Sequence, residues 1–479
     1  MSTSLSKDLE HLRTLAEDSA NPGRYGQHFH LMPPVGWLND PNGLCQFNDV
    51  YHAFFQYSPF NAEGGVKMWG HSVSDDLVKW DYVGTPLYPD QPFDVSGVYS
   101  GCAYVEDGVM NVFYTGNVKR LDAVGYDYVS TGREANTIRT SSKDGINFEH
   151  RHVVMGNDDY PADDTEHVRD PKVWRDGDTY YMVQGARRTD DRGEVLVFRS
   201  DDMEHWSLLN RITTEYPFGY MWECPDYFKL PDLGDGNLTK VLSVSPQGLK
   251  GGDWDRRNVY QSGYFVLRGD PASEYRLQPF ALWDAGFDFY APQTFQADDG
   301  RRILIGWMGM PDEKTYTNPT VEDGWQHCFT IPREVTVRYG RVLQWPVREI
   351  EGYRTNLREA DHNLVVEDSP TFDLEIDDMP EHMSFVYVKL ADEFAITWGS
   401  GVLELRFLDD SKDGVGAGRH VRYEHLARLE NMRIVGDISS VEVFVNNGEL
   451  TFSTRYYPKA YKAVVDAPGA HIQFWDLNV

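Results

Sequence analysis

Three acidic residues lie in short polar motifs that are far apart along the chain. Asp40 lies in N-D-P-N, Asp170 in R-D-P-K and Glu223 in E-C-P-D. Such a set suits cleavage of a glycosidic bond, in which one carboxylic acid protonates the leaving oxygen while another carboxylate attacks or stabilises the oxocarbenium carbon. Taken singly, each could be a turn residue or a partly buried acid, since Asp before Pro is common in turns. The three can act together only if the fold brings them to one place.

A repeat of about 60 residues predicts the elements that could do this. Aromatic, β-rich runs begin at residues 50, 110, 179, 239 and 301. Three of them are followed by a related turn and strand, in HSVSDDLVKW, RTSSKDGINF and FRSDDMEHW. Several short strands in each repeat, separated by Gly, Asp and Asn turns, are typical of propeller blades. Five repeats therefore predict a five-bladed propeller.

The acidic motifs occupy a shared position in this repeat. Directly ahead of the aromatic runs lie N-D-P-N (39–42), S-G-C (100–102), R-D-P-K (169–172), E-C-P-D (223–226) and Y-A-P-Q (290–293). Proline in four of the five suits the unpaired start of a strand. If these strands are the inner ones of each blade, they start near one mouth of the central channel. We therefore expect that mouth to collect Asp40, Ser100, Asp170, Glu223 and Tyr290.

The pattern changes beyond about residue 340, where short alternating strands are joined by turns. Asn447-Gly448 is the strongest hairpin signal there. This part is predicted to form a smaller β-sandwich that buries apolar surface of the propeller. The whole chain is thus predicted to be all-β, with an N-terminal helical extension (1–27), a propeller catalytic domain (28–340), a linker (341–355) and a C-terminal β-sandwich (356–479).

The N-terminal extension carries apolar residues at helical spacing. Leu5, Leu9, Leu12 and Ala16 recur every three or four residues, which predicts a short amphipathic helix lying on the body of the protein. The segment lacks the apolar core of a secretory signal, and no window reaches the roughly 18 apolar residues of a membrane span. We therefore expect a cytoplasmic protein.

Composition excludes several classes of function. Lys and Arg number 45 against 75 Asp and Glu, a net charge of −30 that repels nucleic acids and anionic membrane surfaces. The four cysteines form no CxxC pair, and the chain has no HExxH, no phosphate-binding GxxxxGK[ST] and no strand-borne GxGxxG. We expect buried free thiols, no cofactor and no metal. A small sugar is the expected partner, and the sequence does not indicate an oligomeric state.

Longer motifs around the acids are more specific. The chain contains, in this order, the motifs WLNDPNG, MWGHSVSDDLVKW, HVRDPKVW and MWECPDYF. In the order and spacing of these motifs, the chain from about residue 28 to its end resembles the β-fructofuranosidases. This is glycoside hydrolase family 32, which includes invertases and sucrose-6-phosphate hydrolases. The resemblance implies a propeller plus a sandwich, in agreement with the repeat count. It also implies a retaining hydrolase that releases terminal β-D-fructofuranosyl units from sucrose and short fructo-oligosaccharides through a covalent fructosyl-enzyme.

The resemblance also implies residue roles. Asp40 would be the nucleophile, Glu223 the general acid and then base, and Asp170 a residue that binds fructose hydroxyls and stabilises the transition state. For Trp69 and Trp307, packing in the protein core is an equal alternative to contact with the sugar. For Gln56 and Arg169, the alternative is to support the residues that contact the sugar. The implied sugar contacts are Asn39, Gln56, Trp69, Ser100, Arg169 and Trp307, to which the repeat adds Tyr290.

Two departures from the family pattern bear on specificity. Many members carry a Trp about eight residues after the position of Gln56, where this chain reads NAEGG (61–65), so a more open or differently walled subsite is expected. The motif F-S-G-S becomes Tyr99-Ser100-Gly101-Cys102, which retains the hydroxyl. Fructosyl transfer, hydrolysis of sucrose 6-phosphate and a non-catalytic carbohydrate-binding propeller stay open, while WLNDPNG argues against a pentosan hydrolase. Recognition of a phosphate needs a cationic pocket, for which the candidate residues are Arg120, Arg187, Arg188, Arg256 and Arg257.

Overall fold

The computed structural model describes residues 4–18, 22–252, 254 and 256–479. Five of its β-sheets follow one another along the chain as blades, and their first strands lie side by side in a ring that closes where the fifth packs against the first. Two further six-stranded sheets form the C-terminal sandwich. The predicted all-β architecture, a five-bladed propeller followed by a β-sandwich, is confirmed. No helix in the described part of the chain is long and apolar enough to cross a membrane.

Four antiparallel strands form the main sheet of each blade, and blades one, four and five each carry one further short strand. Blade one holds β1 (Gly36–Phe47), β2 (Val50–Ser58), β3 (Met68–Ser74), β4 (Asp81–Leu87) and the short β20 (Trp325–Gln326). Blade two holds β5 (Val98–Glu106), β6 (Val109–Lys119), β7 (Arg133–Ser142) and β8 (His152–Met155). Blade three holds β9 (Asp164–Asp176), β10 (Thr179–Arg188), β11 (Gly193–Ser200) and β12 (Ser207–Ile212). Blade four holds β13 (Met221–Pro231), β14 (Leu238–Gln247), β15 (Gly263–Gly269), β16 (Tyr275–Leu277) and β17 (Ala281–Leu282). Blade five holds β18 (Tyr290–Gln296), β19 (Arg302–Met308), β21 (Cys328–Phe329), β22 (Arg333–Arg338) and β23 (Arg341–Pro346).

The inner strands of all five blades carry an irregularity at the same place. Their pairing with the second strand shifts register at Leu38–Pro41, Tyr99–Gly101, Arg169–Lys172, Glu223–Asp226 and Tyr290–Gln293. Such bulges insert an unpaired residue and bend the strand, which re-aims its side chains. The acidic motifs lie at these bulges, so the repeat register predicted from the sequence corresponds to a real backbone feature.

A turn on the outer side of the blades also repeats. In blades one to three, one aspartate oxygen accepts the backbone N–H groups two and three residues further on, at distances of 2.7–2.9 Å. This side-chain cap mimics a backbone turn, which is why the sequence repeats Ser-x-Asp there. The capping residues are Asp76, Asp144 and Asp202.

The sandwich consists of two antiparallel sheets. One sheet, in spatial order, holds β24 (Arg354–Ala360), β35 (His471–Leu477), β26 (Phe372–Asp377), β31 (Met432–Asp437), β32 (Ser440–Val445) and β33 (Leu450–Arg455). The other holds β25 (Asn363–Glu367), β34 (Lys462–Asp466), β27 (Phe385–Leu390), β28 (Phe394–Gly399), β29 (Val402–Phe407) and β30 (Val421–His425). The hairpin expected at Asn447-Gly448 joins β32 to β33, with Asn446 and Asn447 both in the left-handed region (φ 52° and 55°).

Within the described residues, helical segments are few and short. They are α1 (Ser4–Asp18) and the 3-10 helices Asn157–Asp159, Pro319–Asp323, Arg348–Tyr353 and Asn446–Gly448. Helix α1 packs against β4 of blade one, with Leu9 buried, while the side chains of Leu12 and Ala16 lie outside the described residues. The stretch 341–355, predicted as a linker, contains strand β23 and a 3-10 helix. Strand β23 belongs to blade five because Tyr339-Gly340, both with positive φ, turn the chain back onto β22.

The contact between propeller and sandwich is both apolar and ionic. An apolar cluster crosses it and includes Phe29, Ile331 and Phe444. His30, which precedes the first strand, is buried between Asp437 and Glu442 of the sandwich. The interface expected from the sequence was an apolar one, so these fully buried charges are an addition that only the structure reveals.

Candidate active site

One mouth of the central channel opens into a cavity of about 310 Å³. Nine of the ten site residues proposed from the sequence line it, although they come from five blades and the last lies 268 positions after the first. They are Asn39, Asp40, Gln56, Ser100, Arg169, Asp170, Glu223, Tyr290 and Trp307.

Trp69 is the one proposed contact that does not line the cavity. Its side chain is fully buried, its indole N–H donates to the backbone oxygen of Tyr99 at 3.0 Å, and its ring packs on Phe54 and Tyr114. The core-packing alternative therefore describes Trp69, which supports the inner strand of blade two from behind. Trp307 lines the cavity and packs edge-on against Tyr290 at a ring separation of 6.2 Å.

Glu223 is held by three donors from three blades. Its Oε1 accepts from Arg169 Nη2 at 2.5 Å, and its Oε2 accepts from Gln247 Nε2 at 2.7 Å and from the Tyr290 hydroxyl at 2.5 Å. Hydrogen bonds to charged groups are short and strong, so the carboxyl group has one defined orientation. Burial and the negative charge of Glu223 raise the pKa of Tyr290, which keeps its hydroxyl proton available for donation.

Asp40 lines the same cavity in a different environment. Its Oδ2 accepts from the Ser100 hydroxyl at 2.7 Å, and its Oδ1 accepts from Asn39 Nδ2 at 3.0 Å. The Cys224 thiol approaches the same Oδ2 at 3.6 Å. Burial and the charge of Glu223 raise the pKa of Asp40, while the hydrogen bonds from Asn39 and Ser100 oppose the rise by stabilising the carboxylate. Two donors on separate oxygens thus fix the direction of this side chain.

Asp170 is the third acid, and its backbone lies in the left-handed region (φ 65°), which Asp tolerates better than most residues. Its Oδ2 accepts the backbone N–H of Cys224 at 2.8 Å, and Arg169 Nε lies 3.7 Å from the same oxygen. Burial and the charges of Glu223 and Asp40 raise the pKa of Asp170 to about 7, against the lowering effect of Arg169. This carboxyl group therefore changes its charge near neutral pH.

The acids differ by one residue in their position relative to the bulge. Asp40 and Asp170 directly precede a proline, whereas Glu223 is one position earlier and Cys224 precedes the proline. The bulge lets both consecutive residues of a strand reach the cavity, as Asn39 and Asp40 do. The repeat register located all three acids correctly at this rim but did not resolve the offset.

Sequence reasoning missed seven residues that line the cavity. Trp37 and Tyr99 lie inside or next to motifs quoted from the sequence, and Gln247 is the last residue of β14, the strand that contains the run beginning at residue 239. These three positions therefore carried a signal. The others come from loops without a periodic pattern. The missed residues are Trp37, Lys67, Tyr99, Tyr128, Gln247, Pro311 and Asp312. None of the five arginines considered for phosphate binding lines the cavity.

A larger cavity of about 530 Å³ lies further along the same inner strands. Its lining includes Cys45, Lys172 and Trp174, and Lys172 Nζ lies 3.3 Å from the buried carboxylate of Asp226. It contains none of the three acids, so the smaller cavity is the candidate active site. Among the described residues, no group of three or more His, Cys, Asp or Glu side chains is arranged to hold a metal ion.

Comparison with known proteins identifies the family. The model of the glycosyl hydrolases family 32 N-terminal domain matches residues 30–346, and that of the family 32 C-terminal domain matches residues 391–476. The chain belongs to glycoside hydrolase family 32. The first match ends at the last residue of β23 and covers the five blades, and the second falls within the sandwich.

Individual family 32 relatives are similar over nearly the whole chain. A sucrose-6-phosphate hydrolase from Bacillus subtilis is 38% identical over 92% of this chain and 91% of its own length. A raffinose invertase from Escherichia coli is 38% identical over 92% of both chains. Among solved structures, a β-fructofuranosidase variant from Bombyx mori in complex with sucrose has a TM-score of 0.83 at 28% identity and covers 98% of both chains. A sucrose-6-phosphate hydrolase from Lactobacillus gasseri has a TM-score of 0.86 at 26% identity, covering 98% of this chain and 96% of that one.

Proposed function

We propose that this family 32 enzyme is a retaining β-fructofuranosidase that releases terminal β-D-fructofuranosyl units from sucrose and short fructo-oligosaccharides. The observation that carries the proposal is the convergence of Asp40, Asp170 and Glu223 on one cavity, each carboxyl group held by its own donors. Two carboxyl groups in different environments are what a retaining glycosidase requires, because one must attack and the other must deliver a proton.

The first half of the proposed reaction forms a covalent intermediate. Asp40 attacks the anomeric carbon of the fructosyl unit while the bond from that carbon to the leaving oxygen breaks. Glu223 gives its proton to the same oxygen, so the second sugar departs as a neutral alcohol. Arg169, Gln247 and Tyr290 keep the Glu223 carboxyl group pointing at the leaving oxygen, and Asp170 accepts hydrogen bonds from fructose hydroxyls.

The second half hydrolyses that intermediate. Glu223, now ionised, takes a proton from a water molecule whose oxygen attacks the anomeric carbon, and Asp40 leaves as a carboxylate. The three donors around Glu223 suit this step because they stabilise its anionic form. Two displacements at the same carbon return the original configuration, so the product has the anomeric form of the substrate.

We also propose that the enzyme acts in the cytoplasm. Its four cysteines, Cys45, Cys102, Cys224 and Cys328, are all free and buried. Free thiols are typical of reducing compartments, whereas secreted proteins commonly pair them. Cys224 supports this further, because its thiol lies against Asp40 and oxidation there would disturb the candidate nucleophile.

The proposal is tested by separating the roles of the two acids. Asp40→Asn should lower turnover of sucrose by several orders of magnitude, because a neutral amide cannot form the covalent ester. Glu223→Ala should fail on sucrose but recover in part with a fructoside whose leaving group needs no proton, or with added azide. The rates are measured with purified enzyme, and NMR spectra taken early in the reaction report the anomer released first.

Asp144→Asn is the matched control, because Asp144 is an exposed carboxylate of the repeated outer turn and lies outside the cavity. It should retain wild-type activity. A D40N enzyme with a tenth of the wild-type rate, or an inverted first product, would refute the retaining mechanism. Equal losses on good and poor leaving groups in the Glu223→Ala variant would instead make Glu223 a binding residue.

A further inference from the structure

Lys67 places a cation at the wall of the candidate active site. It lies in the loop between β2 and β3, its side chain is half-buried, and it lines the same cavity as Asp40. Among the described residues no carboxylate forms an ion pair with it. Resting on the proposed function, we propose that Lys67 is a specificity-determining residue that binds a phosphate monoester carried by the sugar substrate.

Of the two cations among the described residues that line the cavity, Lys67 is the one available to an anionic ligand. The other cation of the lining, Arg169, already contacts both Glu223 at 2.5 Å and Asp170 at 3.7 Å. Its remaining terminal nitrogen, Nη1, has no hydrogen-bond partner but is fully buried, so it is not exposed to a ligand in the cavity. A new anion would therefore compete with two carboxylates for Arg169, whereas at Lys67 it would meet an ammonium group with unused donors.

Neighbouring residues hold the ammonium group open to the cavity. Lys67 Nζ lies 4.9 Å from the centre of the Trp37 ring, a cation–π contact that places the charge without using its N–H donors. A methyl group added to Gly64 would lie 4.0 Å from Nζ and 3.8 Å from the Trp37 ring, at ordinary contact distance, so glycine leaves the space beside Nζ unfilled. The open stretch Asn61–Gly65 thus leaves the cation uncovered by side chains of its own loop.

The same contacts connect Lys67 to the reacting centre. The Trp37 indole N–H donates to Asn39 Oδ1 at 2.8 Å, and Asn39 Nδ2 donates to Asp40 Oδ1 at 3.0 Å. A group bound by Lys67 therefore lies beside a substrate positioned for attack by Asp40. Burial lowers the pKa of Lys67 to about 8, while the charge of Asp40 opposes the decrease, so the ammonium form predominates at neutral pH.

Electrostatics explain why one such cation would control selectivity. The cavity contains the acids Asp40, Asp170, Glu223 and Asp312, and the chain carries a net charge of −30, so a phosphate group is repelled on approach. A neutral sugar feels no such repulsion. Removing the Lys67 charge should therefore penalise a phosphorylated substrate far more than sucrose itself.

The test compares Lys67→Met with the wild-type enzyme on sucrose, sucrose 6-phosphate (phosphate on the glucosyl ring) and sucrose 6′-phosphate (phosphate on the fructosyl ring). Met keeps an unbranched side chain of nearly the same length beside Trp37 but lacks the charge. For at least one phosphorylated isomer, the ratio of its kcat/KM to that of sucrose should fall about 10- to 100-fold in the variant. Inhibition by glucose 6-phosphate and fructose 6-phosphate, each compared with the free sugar, shows which ring carries the recognised group.

Lys67→Arg should restore most of the ratio, because it restores the positive charge. The matched control is Lys79→Met, since Lys79 also lies 4.9 Å over an aromatic ring, that of Tyr353, but outside the cavity. It should behave as wild type. Ratios in Lys67→Met within threefold of wild type for both isomers would overturn this inference while the hydrolysis of sucrose stands. A wild-type enzyme that cleaves none of the three substrates would instead refute the proposed function.

Discussion

The buried histidine between the two domains allows a quantitative prediction about stability. His30 is fully buried, with Nδ1 2.9 Å from Asp437 Oδ2 and Nε2 3.0 Å from Glu442 Oε1. Because both ring nitrogens face carboxylate oxygens, both must carry protons, and the ring is a charged imidazolium. Burial by itself would lower the pKa of His30, but hydrogen bonds to Asp437 and Glu442 and their negative charges outweigh it and raise the pKa above 6.5.

Replacing this residue by glutamine removes the charge but keeps some hydrogen-bonding capacity. Breaking a buried ion pair by removing one partner costs about 3–5 kcal/mol, because the remaining charge is left uncompensated. Asp437 keeps backbone N–H donors from His28 and Phe29 at 3.0–3.2 Å, and Glu442 keeps Arg333, so the lower end of this range, about 3 kcal/mol, applies. In a chain of 479 residues each kcal/mol shifts the melting temperature by about 1 °C, so a loss of about 3 kcal/mol in His30→Gln should lower it by roughly 3 °C.

The effect should depend on pH in a defined direction. A histidine whose pKa is raised on folding contributes stability that is fully present below the unfolded pKa of about 6.5 and is lost as the pH rises through the folded value. Burial opposes ionisation of both carboxyl groups, but their contacts with His30, and for Glu442 the charge of Arg333, keep their pKa values lowered, so both stay ionised at pH 6. The gap in melting temperature between wild type and His30→Gln should thus be largest at pH 6 and narrow by pH 9.

The assay is thermal unfolding followed by circular dichroism at both pH values. The control is His205→Gln, because His205 also contacts a carboxylate, that of Asp202, but is exposed. The melting temperature of this variant should equal that of the wild type. A His30→Gln melting temperature within about 1 °C of wild type at pH 6, or a gap that widens towards pH 9, would refute the argument that a charged imidazolium joins the domains.

Three further predictions concern the site. Tyr290→Phe removes one of the three donors to Glu223 and should lower kcat/KM on sucrose about 10- to 100-fold without changing the melting temperature; an unchanged rate would show that the other two donors suffice. The pKa of Asp170 is raised to about 7, and its carboxylate form accepts the sugar hydroxyls, so kcat/KM of the wild type should rise with pH through about 7. This rise should be absent from the pH profile of the much slower Asp170→Asn enzyme. If the variant kept the rise, the titrating group would be a different one. Activity should survive exhaustive treatment with EDTA, since the proposed chemistry needs a proton on Glu223 that a bound cation would displace; loss of activity that added metal restores would contradict this.

The sequence alone determined the architecture and most of the site. Each blade is a local unit of short strands and polar turns, so its pattern recurs every 60 residues or so and can be counted without knowledge of the packing. The same repeat located Asp40, Asp170 and Glu223 at one rim, because inner strands that begin at equivalent positions must begin at the same mouth of the channel. Motif resemblance then added residues such as Asn39 and Gln56, which the structure places in the cavity.

Only the tertiary structure decided which side chains surround those acids. The three donors to Glu223 come from blades three, four and five, so no short stretch of sequence records their meeting. Lys67 lies in a loop without periodicity, and its position over Trp37 depends on how that loop folds back. The roles of Trp69 and His30 could not be read from the sequence for the same reason. Whether an aromatic ring or an ion pair is buried depends on how separate elements pack together. Strand patterns are local and repeat, whereas contacts between blades and domains follow from their three-dimensional assembly.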